Sequence, residues 1–186
     1  MSAQSLAQAI EISRSVLGNV QADQLQNATP CASWNVSELI NHMVGAQGFF
    51  QAGLEGSAPS GDQPNWAEGD YLAAFNEASA ASLASFSAEG AMEKTVSMPF
   101  GDMPGAAFMG LALNDTFTHA WDLAKATGQD TNLAPELASA ILAQSRQMVQ
   151  DSFRGPEGAP FGTEAACPEG ACPADQLAAF LGRDVA

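Results

Sequence analysis

The sequence predicts an all-α fold, a four-helix bundle with additional C-terminal helices. Three observations carry this. Long segments place apolar residues at three- and four-residue steps, Gly, Pro, Ser and Asn clusters separate those segments, and alternation of the β type is almost absent. Amphipathic helices without strands bury their apolar faces against one another, and a bundle is the simplest way to do so.

Residues 3–18 carry Leu6, Ala9, Ile10, Ser13, Val16 and Leu17 at helical spacing, with Gly18-Asn19 as the stop. After the loop "NATPCASW", Asn35 and Glu38 have the spacing of a capping box, and Val36, Leu39, Ile40, Met43, Phe49 and Phe50 continue a stripe over 36–52. "GLEGSAPSGDQPNW" is a surface loop, followed by a helix at 67–88 with Tyr71, Leu72, Phe75, Ala78, Leu83 and Phe86 inward. "EKTVSMPFGDMPG" offers one short extended piece, and a single strand makes no sheet. Pro104 is placed to begin a helix over 105–126 that closes at Gly128. Pro135 opens a fifth helix through Phe153, with Leu137, Ile141, Leu142, Met148 and Val149 periodic. Residues 154–186 read as a loop and a short terminal helix, "ADQLAAFLG", and the expectation is one domain over 1–186.

Six Lys and Arg against 21 Asp and Glu give a net charge of −15, whose field repels phosphate backbones and anionic bilayers. Nucleic acid and membrane are therefore not the expected partners, and the charge reads as a solubilising surface. The first segment has no basic start, and no apolar run reaches the ~20 residues of a membrane span, so the expected location is cytoplasmic. Cys31, Cys167 and Cys172 are too few for a disulfide framework and fit a reducing compartment, with a local Cys167–Cys172 bridge left open.

The chemistry-bearing residues are the only two histidines and the acids near them. Asp115 and His119 stand four apart, hence on one helical face, beside the apolar Leu111, Ala112 and Leu123. His42 lies on a similar inner face between Leu39 and Phe49. A buried carboxylate needs a cation or a metal, and Lys125 is the one cation within ten residues on that helix. Two imidazoles and a carboxylate from facing helices form a three-ligand set with open positions, as catalytic zinc and non-haem iron sites do. The same spacing also fits a hydrogen-bonded core pair, and it does not choose between them.

"TPCASWNVSELINHMVG", "DTFTHAWDLAKATG" and "FLGRD" resemble the DinB-like superfamily, in its small members related to the N-terminal domain of mycothiol-dependent maleylpyruvate isomerase. The resemblance runs from the first helix to the Gly182-Arg183-Asp184 tail. It implies a DinB-like bundle holding a divalent metal, zinc or nickel, through one histidine of the second helix and an acid-xxx-His pair of a later one. Carried onto this sequence, these are His42, Asp115 and His119. The acid is often Glu in the superfamily, and the shorter Asp115 draws a metal closer to its helix. The isomerase has a further C-terminal domain that contributes to its active site, and the expectation is that these 186 residues hold no counterpart of it.

Asp122, three after His119, is a candidate to hold the second imidazole nitrogen or a water, with a solvent-facing or capping acid as the alternative. Trp34 and Trp121 read as packing anchors, Trp34 as a staple before the Asn35 cap. Cys31 reads as a small buried hydrophobe rather than a reactive thiol or ligand. Cys167 and Cys172 lack the spacing of a zinc knuckle. Arg146, Arg154 and Arg183 are the cations available toward the C-terminus for an anionic substrate, and Arg183 reads most simply as a helix C-terminal cation.

Three functions fit. The first is a metal-dependent enzyme using a low-molecular-weight thiol, of S-transferase or isomerase type, since a divalent ion lowers the pKa of a bound thiol or water. The superfamily resemblance favours thiol chemistry over a metal-dependent hydrolase. The second is a non-catalytic metal-binding module in which the ion cross-links two helices. The third is a helical dimerising or regulatory protein with an empty site. The expected partner is a small-molecule substrate or thiol, and a homodimer is compatible with the sequence.

Overall fold

The computed structural model describes residues 2–31, 33–57, 63–98, 101–156 and 159–186. Its helices are α1 (Ala3–Gly18), α2 (Val36–Glu55), α3 (Tyr71–Ser87), α4 (Gly105–Ala126), α5 (Pro135–Met148) and α6 (Pro173–Phe180), with strands β1 (Thr95–Met98) and β2 (Gly101–Pro104) between α3 and α4. The chain is thus mostly helical, as its periodicity requires.

The caps explain where α1 and α2 begin. The Ser2 hydroxyl accepts the Ser5 N–H at α1. At α2, Asn35 Oδ1 accepts the Glu38 N–H at 2.9 Å while Glu38 Oε2 accepts the Asn35 N–H at 2.8 Å. The helix runs three residues beyond the expected 52 because Gly56, at φ 72°, supplies the left-handed stop. Helix α3 starts later than expected: Trp66–Glu68 form a separate 3-10 turn, and the Asp70 carboxylate then caps the helix at Ala73 N–H.

The extended piece is a hairpin, which corrects the expectation of an unpaired strand. Thr95 pairs with Pro104 and Met98 with Gly101 in antiparallel register. Four residues per strand are too few to show alternation in sequence. The pair is held because Val96 is buried and Met98 and Met103 pack on the core. Lys94 and Met92 carbonyls accept the Gly105 and Ala106 N–H groups, so the hairpin also satisfies the start of α4. A side chain at Gly105 would meet the Ala91 carbonyl at 2.0 Å, and only glycine allows that approach.

Helix α5 ends at Met148 rather than at Phe153, and a 3-10 turn at Asp151–Phe153 follows. Helix α1 packs on α3 and α4, α2 packs on α3 and α4, and α5 and α6 pair with each other beside α4. Helix α4 is therefore central: every residue from Thr116 to Ala124 is buried. Phe75, Phe108, Phe117 and Trp121 are among the largest side chains sealed inside. On α3 only Phe75 and Phe86 of the expected inner residues are fully buried, with Ser79 and Ser82 completing the face. Among the described residues no helix is long and apolar enough to cross a membrane.

Candidate metal centre

The packing of α2 on α4 brings His42 to the Asp115–His119 pair. Asp115 Oδ1 lies 3.2 Å from His42 Nε2 and 3.5 Å from His119 Nε2. One donor atom from each residue falls within 4.8 Å of the other two. Two donors sharing a metal at 2.0–2.1 Å in tetrahedral array stand about 3.3 Å apart, so these spacings suit a shared ion. Two imidazole nitrogens and one carboxylate oxygen also suit zinc, nickel or iron better than calcium or magnesium. His42 and Asp115 are partly exposed, with 30% and 24% of their side chains accessible, whereas His119 keeps 10%. The cluster is therefore open on the α2 side and closed behind His119.

Behind His119 stands Asp122, with no exposed side-chain surface, its Oδ2 at 2.9 Å from His119 Nδ1. This rejects the solvent-facing alternative for Asp122. Burial opposes its charge, but the Arg183 guanidinium and His119 prevail and lower its carboxyl to about 2. Arg183 donates from Nε to Asp122 Oδ1 at 3.2 Å and from Nη2 to Oδ2 at 3.1 Å. The plain helix-terminal reading of Arg183 is thus corrected: it is a half-buried partner of the acid that holds His119.

Cys31 is corrected in the same way. Its thiol donates to Asp122 Oδ2 at 3.2 Å, and its sulfur lies 3.9 Å from His119 Nδ1 and 3.8 Å from Arg183 Nη2. The Thr29 hydroxyl, which accepts the Cys31 N–H and donates to the Trp34 carbonyl, shapes this loop. Cys31, His119 and Asp122 form a second group of converging donors, but the guanidinium occupies the cationic role there. Trp34 covers the histidines as well as anchoring the loop, its ring centre 4.6 Å from that of His42 and 5.7 Å from that of His119.

Burial disfavours the imidazolium of His119, yet Asp115 and the hydrogen bonds to Asp122 and Cys31 outweigh it and raise its pKa well above the usual 6.5. Asp115 is buried enough to resist ionisation, but His119 and His42 hold its carboxyl far below the usual range. The two neighbouring carboxylates thus both favour the charged form of His119.

A cleft of about 640 Å³ opens onto His42 and Asp115. Its walls are Gly45, Ala46, Phe49 and Phe50 of α2 and the segment from Gln63 to Trp66. The sequence placed Phe49 in the core, whereas it is half-buried at this cleft. Trp66 carried no signal of its own, because nothing local shows that the 3-10 turn folds back over Gly45. Cys167 and Cys172 are free thiols, and the Cys172 sulfur caps α6. Arg154 stands over the Phe180 ring, and Lys125 reaches the Val185 and Ala186 carbonyls.

The sequence profile of the mycothiol maleylpyruvate isomerase N-terminal domain matches residues 6–124, which include His42, Asp115, His119 and Asp122. The chain belongs to that family. Two curated relatives, both named only as uncharacterized proteins, come from Mycobacterium tuberculosis strains CDC 1551 / Oshkosh and ATCC 25618 / H37Rv. Each is 48% identical over 170 residues, covering 91% of either chain. No solved structure matches this family member.

Proposed function

We propose that this family member is a DinB-type four-helix bundle, α1 to α4, that binds one divalent metal through His42, Asp115 and His119. The proposal extends to an enzyme that transfers a low-molecular-weight thiol to an electrophilic small molecule. The observation that carries it is the convergence of three donors, spaced for a shared ion, two of which, His42 and Asp115, line an open cleft.

A bound divalent ion supplies Lewis acidity that makes a thiol or water nucleophilic near neutral pH. Asp122 fixes the ring of His119 and holds the Nδ1 proton, which leaves Nε2 facing the cleft side. Asp115 carries the negative charge and spans both histidines. Trp34 shields the imidazoles on the loop side, which leaves the cleft as the approach for reactants. In the net reaction the thiol gives its proton to solvent, sulfur bonds to the electrophilic carbon, and the leaving group departs with its electron pair. The family description supports thiol chemistry, and the open cleft favours turnover over a purely structural ion.

The deciding experiment is elemental analysis of tag-free protein purified without chelator, beside His42→Ala and Asp115→Ala. Near-stoichiometric metal in the parent and its loss in both variants is the expected result, followed by metal-dependent consumption of a thiol with an electrophile. A folded parent that takes up no transition metal after reloading overturns the assignment.

A further inference from the structure

The walls of the cleft carry no positive charge. No Lys or Arg occurs between Arg14 and Lys94, a span that contains α2, α3 and the whole connection between them. Helix α4 has none before Lys125. Arg183, the cation beside the centre, lies behind His119 and is committed to Asp122. Among the described residues, His42 and Asp115 are the titratable ones that line the cleft.

The cleft is nevertheless built rather than incidental. Asn41 donates to Asn65 Oδ1 at 2.8 Å and accepts the Ala67 N–H at 3.0 Å, which clamps the 3-10 turn onto α2. That clamp holds the Trp66 ring over Gly45, where a Cβ would already touch the ring at 3.4 Å. Trp66, Phe49, Phe50 and Ala46 then present a mainly apolar, aromatic surface leading to the metal ligands. Its volume falls in the range of sites for small organic ligands.

We infer that this cleft selects a ligand with one donor head of at most a single negative charge and an uncharged, flat apolar body, and that it discriminates against a second anionic group. A divalent ion with the one carboxylate of Asp115 leaves a net single positive charge, which one anionic head neutralises. A second carboxylate or phosphate in the cleft would meet no cation, would lose its hydration against aromatic walls, and would stand in the field of a −15 chain. An apolar body instead removes the faces of Phe49 and Trp66 from water.

This inference rests on the metal assignment proposed above, and the test separates the two. The probes are acetohydroxamate, benzohydroxamate and 4-carboxybenzohydroxamate, which share one metal-seeking head and differ only in body. Metal content is measured on the same samples of nickel- or zinc-loaded protein, and binding is read by tryptophan fluorescence. Benzohydroxamate should bind about tenfold or more tighter than acetohydroxamate, as a group filling an apolar pocket does. The 4-carboxy compound should bind about tenfold or more weaker than benzohydroxamate. Placing a cation in the wall, by Phe49→Arg or by Pro64→Lys on the exposed rim, should narrow or reverse that last preference. Equal or tighter binding of the 4-carboxy compound by metal-loaded parent overturns the inference while leaving the metal site intact. Protein that takes up no metal removes both.

Discussion

Replacing Arg183 by methionine keeps most of the side chain's length but leaves Asp122 as a wholly buried carboxylate with His119 as its sole charged partner. The two donated hydrogen bonds, at 3.2 and 3.1 Å, are each worth about 1.5–3 kcal/mol when charged. The drop of the Asp122 carboxyl from 3.8 to about 2 corresponds to about 2 kcal/mol of folded-state preference for the ionised form, shared between Arg183 and His119. Breaking a buried pair from one side costs about 3–5 kcal/mol, so Arg183→Met should lose about 3 kcal/mol at neutral pH. Urea unfolding of chelator-treated protein measures it, with Asp122→Asn and the double variant closing a cycle. The two changes should couple by about 2 kcal/mol, since the second no longer strands a charge. Because the carboxyl is depressed in the folded state, its contribution is complete above about pH 4 and is lost as pH falls through about 2. The gap between parent and Asp122→Asn should shrink accordingly. A loss below about 0.5 kcal/mol for Arg183→Met, or simple additivity in the cycle, would refute a buried, energetically coupled pair.

Asp122→Asn should also weaken metal binding by about 10- to 100-fold without removing a ligand, as loss of an orienting carboxylate does, and competition with a chromogenic chelator reads this directly. His119 is raised well above 6.5 in the metal-free protein, so it adds stability that is complete below the ordinary imidazole pKa and fades as pH rises through the raised value. Metal must displace that proton, and affinity should keep climbing above pH 6.5; calorimetry in buffers of different ionisation heat should show net proton release, and none would contradict a His119 ligand. Gly182→Ala puts a Cβ 2.5 Å from the Gly162 Cα at a residue with φ 93°, so it should cost about 2 kcal/mol or more and, by displacing Arg183, lower metal affinity as well. Thermal unfolding and chelator competition on one sample check both effects.

Helix positions were legible because a face buried against a neighbour must repeat at the helical period, and all six inward residues read for α1 are buried. The Asn35–Glu38 box was equally local, since its hydrogen bonds span three residues. The hairpin was not legible: its stability comes from Val96 and the start of α4, neither of which leaves a period in four residues. Helix α5 likewise ended early, because the periodic apolar residues through Val149 could not show that the chain turns at Gln150.

For the candidate site, sequence alone determined the residue chemistry: two histidines, an acid four residues before one of them, another three after it, and a chain poor in cations. Those facts are local, since a helix fixes which of its own side chains share a face. Only the tertiary structure decided which distant groups complete the site. Arg183 lies 61 residues from Asp122 and Cys31 lies 88 from His119, separations over which sequence periodicity carries no information. Their convergence follows from burial: a carboxylate sealed inside α4 needs a compensating charge, and the turn after α6 is where the chain delivers one.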